Sequence, residues 1–314
     1  MVLSRAATAP LVVVLGATGH QGGSVIKYLS ETSERQYRFR ALTRDASSAA
    51  AQHLAQQGVD VLQGDMATVD RQQLFKDAGY IFVKTMSKPG RTQEEYDLGV
   101  GLIDAAKEVN TLKLFIWSAV QSPKRITQSS SPVDIFDVKE DVSNYWHKSG
   151  IPFCTVQAAG FMQNFLAHFG PRKQDDGAFA TTLPITADTK FALIDVDDYG
   201  LWVQQAIENP KYGPGSDVLA CAEEPTLDTM NKTWSDITGH PWSIKTVTAD
   251  VWRTRLPAPA AETYLNMLRF FHDYGYYGGL DFKPFLSDLA QKPTTWAEFV
   301  KKSDWSGIIN GDKP

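Results

Sequence analysis

The chain has 314 residues, 43% of them hydrophobic, enough to bury a substantial core in one large α/β domain or a domain with a smaller lobe. A net charge of −5 with dispersed Lys and Arg gives no electrostatic basis for a nucleic-acid partner, and no apolar run reaches the ~20 residues of a membrane helix. Cys154 and Cys221 lie in apolar, strand-like surroundings, and none of the six histidines forms an H-E-x-x-H pair, so no metal site is expected.

In chain order, Arg5 followed by AATAPLVVVLGATG has the outline of a secretion leader, but its apolar part is short and runs straight into a glycine-rich turn. It reads as a first strand, and the expected location is cytoplasmic, with the nucleus also open. Strands are predicted over 11–15, 37–43, 60–63, 80–84, 112–117 and 153–157, where short β-branched runs recur. Between them, Gly22, Val25, Ile26 and Leu29 recur at i, i+3, i+4 and i+7, and Leu98, Leu102, Ala105 and Val109 mark another amphipathic helix. Right-handed crossovers make this a doubly wound parallel sheet of Rossmann type, with strand order 3-2-1-4-5-6.

After Gly160 the rhythm changes. Pro-, Gly- and Asp-rich turns break up the elements, helices are predicted over 197–208 and 226–238, and TTWAEFVKKS reads as a capped helix. The expected division is a dinucleotide-binding domain over 1–158, with 192–222 returning to it, and a smaller C-terminal α/β lobe over 159–314.

Gly16, Gly19 and Gly22, in the turn Gly16-Ala17-Thr18-Gly19-His20-Gln21-Gly22, follow an all-apolar strand and open an amphipathic helix. Such a turn lets the backbone approach a pyrophosphate and present helix N-terminal amides to it. Thr18, His20 and Gln21 can add side-chain contacts to the phosphates or the adenosine ribose. At the end of the second strand, where an NAD-preferring fold places an acid, stands Thr43-Arg44. A guanidinium forks onto a 2′-phosphate and a carboxylate would repel it, so NADP(H) is the expected cofactor; Asp45 follows one residue later, and Arg44 could also be a solvated charge. Asp65 and Met66, after the third strand, flank the adenine by position, and Thr85 and Met86, after the fourth, the nicotinamide half. Gly160, Phe161 and Asn164 follow the sixth strand at the mouth of the sheet. The turn lacks the G-K-[ST] ending of a nucleotide-hydrolysing loop, which argues against an ATPase.

The segments VVVLGATGHQGGSVIKYL, ALTRDASS, VLQGDMAT, FIWSAV, FDVKEDVSNYW, IPFCTVQAAGFMQNF, LPITADTKFALIDVDDYG and MLRFFHDYGYY together resemble the NmrA-like family, a branch of the atypical short-chain dehydrogenase/reductases. The resemblance implies an NADP(H)-binding Rossmann domain, a small C-terminal lobe and a cleft between them over the nicotinamide. By position, Lys139 matches the family's active-site lysine, as a catalytic group or a ribose ligand. Four residues before it, where tyrosine-dependent reductases carry their phenol, stands Ile135. Ser118 ends the fifth strand where a substrate-orienting hydroxyl often sits. On periodicity alone Lys139, among Asp137, Glu140 and Asp141, is a surface helix charge. Phe270, Phe271, Tyr274, Tyr276 and Tyr277 read either as an apolar pocket wall or as core.

Two functions follow from the resemblance. One is an NADPH-dependent oxidoreductase reducing a small carbonyl, quinone or enone in the interlobe cleft. The alternative is a non-catalytic NADP(H) redox sensor or transcriptional co-regulator that binds a protein partner. An oligomer is compatible with both.

Overall fold

The computed structural model describes residues 8–167 and 169–311; Arg5 of the leader-like segment lies outside them. The run LVVVL forms β1 (Leu11–Leu15), buried at every residue as a central strand covered on both faces must be. There follow α1 (His20–Glu31), β2 (Arg38–Thr43), α2 (Ala49–Gln56), β3 (Asp60–Gln63), α3 (Arg71–Phe75) and β4 (Ala78–Val83). Then come α4 (Thr92–Ala106), β5 (Leu114–Ala119), α5 (Pro123–Ile126), α6 (Asp134–Trp146) and β6 (Phe153–Ala158).

These six strands pair in parallel in the order 3-2-1-4-5-6, so the chain changes direction of travel between β1 and β4. At such a switch point the crossovers part to opposite faces and leave a crevice beyond the carboxyl ends of the strands. Alternate side chains feed two cores. Val12, Val14, Phe82 and Ile116 pack with Val25, Ile26 and Leu29 of α1, while Val13, Ile81, Phe115 and Trp117 pack with Leu102 and Ile103 of α4 and Val142 of α6. The fifth strand runs two residues past its expected end because the small Ser118 and Ala119 still pair with Val156 and Gln157.

Beyond Ala158 the chain forms β7 (Gly160–Phe161), β8 (Arg172–Lys173), β9 (Phe179–Leu183), β10 (Leu193–Ile194), α7 (Tyr199–Glu208) and β11 (Asp217–Ala220). It continues through α8 (Leu227–Thr238), β12 (Trp242–Thr246), α9 (Ala249–Arg253), α10 (Ala260–Tyr274), α11 (Lys283–Ser287) and α12 (Trp296–Lys302). β11 pairs in parallel with β6 as a seventh strand of the large sheet, and α7 packs on α1. Gly200 permits that packing, since a Cβ there would stand 2.2 Å from the Ser24 carbonyl oxygen. β8, β9 and β12 form a separate small sheet.

The helix predicted over 197–208 opens as a 3-10 turn, Val196–Asp198, because the Asp195 carboxylate accepts from the Asp197 amide and caps the tighter turn. α8 is capped by Thr226, and α12 by a reciprocal pair of Thr295 and Glu298. Of the two readings of the tail aromatics, the structure realises the core. Phe270, Phe271, Tyr276 and Tyr277 are buried and in ring contact with one another, while Tyr274 stays exposed. The Tyr277 hydroxyl lies 3.1 Å from the carbonyl oxygens of both Gln157 and Ala220, tying the turn after α10 to β6 and β11.

Candidate functional site

The glycine turn is built from one left-handed residue and one close approach. Gly16 has φ +78°, and the Gly19 amide closes the turn onto its carbonyl at 3.0 Å. A Cβ on Gly22 would fall 2.4 Å from the Gly16 carbonyl oxygen, so only glycine lets α1 start against the end of β1. Gly19 caps α1 without a side-chain acceptor, and its first turn carries no acidic residue. The opening amides therefore lack intrahelical partners, and the positive end of the helix is left to an anion. These features fit a dinucleotide pyrophosphate.

Around the turn, the predicted side chains divide. Thr18 and His20 are exposed; Thr18 Oγ1 lies 3.5 Å from Thr43 Oγ1, and His20 Nδ1 3.3 Å from Asp197 Oδ1. Gln21 points the other way. It is buried, and its amide donates to Ser118 Oγ at 2.8 Å, bracing α1 against the end of β5. Arg44, exposed at the end of β2, makes no hydrogen bond or ion pair with any described residue. The Asp45 carboxylate accepts from the Ser47 amide at 2.8 Å and the Ser47 hydroxyl at 2.6 Å, and these bonds hold its carboxyl below the ordinary range. Asp65 likewise turns into its own loop, accepting from the Ala67 amide at 2.8 Å, while Met66 packs half-buried on the core.

Across the switch point, Lys139 does not behave as a surface helix charge. Two of its acidic neighbours are committed elsewhere, while Asp141 faces outward: Asp137 accepts from Ser122 and from the Lys124 and Val133 amides, and Glu140 pairs with Arg125 at 3.0 Å. The Lys139 side chain is 13% exposed and turns inward, reaching Glu95 Oε1 at 2.6 Å and Thr85 Oγ1 at 3.3 Å. Thr85 is buried just past β4, and its hydroxyl also donates to Glu95, as does that of Ser87. Burial pushes the Glu95 carboxyl up, but the Lys139 charge and the hydrogen bonds from Lys139, Ser87 and Thr85 outweigh it and hold the group below the ordinary carboxylate range. Burial, and then the like charge of Lys139, push Lys84 below the ordinary lysine range. Ser87 Oγ also lies 2.9 Å from the Ile135 carbonyl oxygen. Met86 is 70% exposed in the loop after β4.

Gly160 and Phe161 form β7, paired with β10, and a Cβ on Gly160 would press to 3.2 Å of the Ala192 carbonyl. Asn164 lies in the following 3-10 turn, where its carbonyl accepts from the Ala167 and Phe169 amides. Glu95 and Ser87 went unnoticed in the sequence. The available signal was that Glu95 shares a helical stripe with Gly99 and Leu102, where a carboxylate is out of place.

A groove of about 990 Å³ runs along the outer face of α4 and α6, past Tyr96, Asp134 and Tyr145, rather than at the strand ends. A smaller one of about 310 Å³ adjoins the glycine turn between α1 and α2. Among the described residues there is no cluster of three or more His, Cys, Asp or Glu placed to hold a metal, and no helix long and apolar enough to cross a membrane.

The NmrA-like family model matches residues 8–300. An NmrA-like family domain-containing protein of Dictyostelium discoideum is 26% identical over 310 residues, covering 94% of this chain and 98% of its own. An NmrA-like family domain-containing oxidoreductase of Aspergillus hancockii is 30% identical over 256 residues, 74% of each chain. Among solved structures, NmrA, a negative transcriptional regulator, superposes with a TM-score of 0.81 at 19% identity, over 98% of this chain and 99% of that one. The same regulator has been crystallised with NADP and with NAD. An NADPH-dependent quinone oxidoreductase from Escherichia coli, complexed with NADPH, gives 0.73 at 22% identity, over 92% and 98%. The sequence match runs from the first described residue into α12, over a doubly wound sheet that these solved structures share, and so this chain belongs to the NmrA-like family.

Proposed function

We propose that this chain binds NADP(H) across the crevice beyond β1, β2 and β4 and acts as an NADPH-dependent oxidoreductase on a small carbonyl, quinone or enone. The observation that carries the cofactor reading is Arg44, exposed and unpaired among the described residues, beside an uncapped α1 while the neighbouring Asp45 is occupied by Ser47. The opening amides of α1, from His20 to Gly22, would meet the pyrophosphate, and Arg44 the 2′-phosphate. Thr85 and Lys139 would meet the nicotinamide half on the β4 side, with Gly160, Phe161 and Asn164 at the mouth beyond β6. In this reading residues 1–158, with 192–222 returning, build the cofactor half, and the rest encloses the substrate.

Bound NADPH would supply a hydride from C4 of its nicotinamide ring. The chain's own part is orientation and proton supply. Lys139 has three N–H donors, two of them directed at Glu95 and Thr85, which leaves one for a ribose hydroxyl or a substrate oxygen. Ser118, buried at the end of β5, accepts from Gln21 and is a hydrogen-bond partner of the Tyr199 hydroxyl, so its part is to brace the strand end. With Ile135 in the phenol's position, the proton comes through Lys139 or from water in the crevice.

That same substitution, together with the burial of the tail aromatics, favours a second reading: an NADP(H) sensor whose protein partner distinguishes the reduced from the oxidised state. NADPH consumption over a panel of carbonyls, quinones and enones, with Lys139→Ala as control, tests the first. Turnover that Lys139→Ala abolishes is the expected result. Tight NADPH binding without turnover on any class would transfer the conclusion to the sensor, whose partner capture must then change with NADP(H).

A further inference from the structure

Glu95 puts a charge where a helix ordinarily buries carbon. On α4 it shares a face with Gly99, Leu102, Ile103 and Ala106, and it is 4% exposed. A carboxylate so placed loses its hydration and must recover it from protein donors, here Lys139, Thr85 and Ser87. Stability alone is a poor account of the arrangement, because buried ion pairs are commonly no better for a fold than well-packed apolar residues of similar volume. Its location suggests another account. The cluster stands at the carboxyl end of β4, across the switch point from the glycine turn.

The packing that creates the pair comes from Gly99, one turn further along α4. A Cβ there would fall 2.8 Å from both methyls of Val142 and 3.3 Å from the Trp117 ring. Bare backbone at Gly99 lets α4 settle onto α6 and brings Glu95 within reach of Lys139. Hydrogen directions then follow. Thr85 Oγ1 spends its hydrogen on Glu95 and accepts from Lys139, so the ammonium is fixed at two of its three donors while standing 5.6 Å from the centre of the Trp117 ring.

We infer that Glu95 is a positioning residue for Lys139: it fixes the ammonium and the Thr85 hydroxyl at the carboxyl end of β4, so that the lysine meets the nicotinamide half of the dinucleotide in one orientation. This rests on the NADP(H) reading above. It gives α4, which contributes no residue to the glycine turn or to the end of β2, a part in the site.

The test uses the full chain and two ligands in calorimetry: NADP+, and adenosine 2′,5′-bisphosphate, which lacks the nicotinamide half. Glu95→Gln is expected to weaken NADP+ about tenfold, the worth of one charge-assisted hydrogen bond, and to leave the bisphosphate unchanged. Lys139→Met should show the same split, the double variant should be no weaker than Lys139→Met alone, and Glu95→Asp should recover part of the loss. Equal weakening of both ligands, or unchanged NADP+ affinity, overturns the inference while leaving the cofactor reading in place. A wild-type chain that binds neither ligand removes the cofactor reading, and the inference with it. Should Glu95→Gln fail to fold, Ser87→Ala removes one half-buried donor to the carboxylate; it is expected to weaken NADP+ by about threefold and spare the bisphosphate, and the absence of that split is equally decisive.

Discussion

The Cβ that Gly22 lacks would stand 2.4 Å from the carbonyl oxygen of Gly16 and 2.8 Å from the Cα of Ala17. Both obstacles are backbone, so neither can rotate away. Gly22→Ala must therefore open the turn or tilt α1, at a cost of about 1–3 kcal/mol by analogy with overpacked cores. The expected outcome is a lower melting temperature together with a clear loss of NADPH affinity, read by thermal melts and fluorescence titration. An alanine variant matching the wild type in both would contradict this geometry.

Arg44 gives a sharper test, because it bears on one ligand and not its near twin. With no partner among the described residues, its removal leaves no orphaned group behind. Arg44→Ala is expected to cost NADPH binding about 1.5–3 kcal/mol, roughly 10- to 100-fold, which is the range for a hydrogen bond to a charged group. NADH affinity should stay the same. Parallel titrations with the two dinucleotides check the split, and equal losses would move Arg44 off the 2′-phosphate.

At Gly99 two effects of opposite sign compete. Alanine gains about 1 kcal/mol of helix propensity over glycine, but its methyl would crowd the stiff Val142 side chain at a cost of about 1–3 kcal/mol. Because the contact is 2.8 Å to both Val142 methyls, crowding is expected to win and Gly99→Ala to melt lower. Adding Val142→Ala should recover part of the loss. Denaturant unfolding of the two single variants and the double variant measures the compensation.

Lys84 sets the alkaline behaviour. Burial and the neighbouring Lys139 charge make it release its proton at a lower pH in the folded chain than in the unfolded one. Between those two values the unfolded state holds more protons, so stability rises with pH there; below them the charged, partly buried group is a cost. Lys84→Met is therefore expected to raise the melting temperature at neutral pH and to flatten the alkaline rise. Melts from neutral pH to about pH 10 decide it, and an undiminished rise in the variant would assign the effect to another group.

How much of this was legible in the sequence varies with how local the determining interactions are. LVVVL announces a central strand because five consecutive buried residues need an apolar side chain on both faces, and the crossovers then dictate the sheet order. The glycine turn is local too. Gln21 is not: nothing in HQGG shows that this amide rotates inward, because its partner Ser118 lies 97 residues away. Lys139 was legible only through the family resemblance, since the acidic residues beside it on α6 suggest a solvated charge and the carboxylate that turns it inward belongs to α4. For the same reason the tail aromatics could not be assigned from their spacing, which is shared by cores and pocket walls. Their burial depends on distant partners: Phe136 and Phe191 for Phe271, and β6 and β11 for Tyr277.

The strand β11 also bears on how the molecule can be made and altered. The sheet acquires its outer strand only at Ala220 of 314 residues, and α7, which seats α1, ends only at Glu208. A nascent chain shorter than this exposes the unpaired amides and carbonyls of β6 as an open edge, the kind of surface that recruits other chains. Synthesis must therefore pass Glu208 before the glycine turn has its supporting helix. Exchanging what surrounds the crevice in a laboratory chimera would likewise mean replacing the stretches between fixed strands. A donor domain fused after Ala158 would inherit a sheet without its edge.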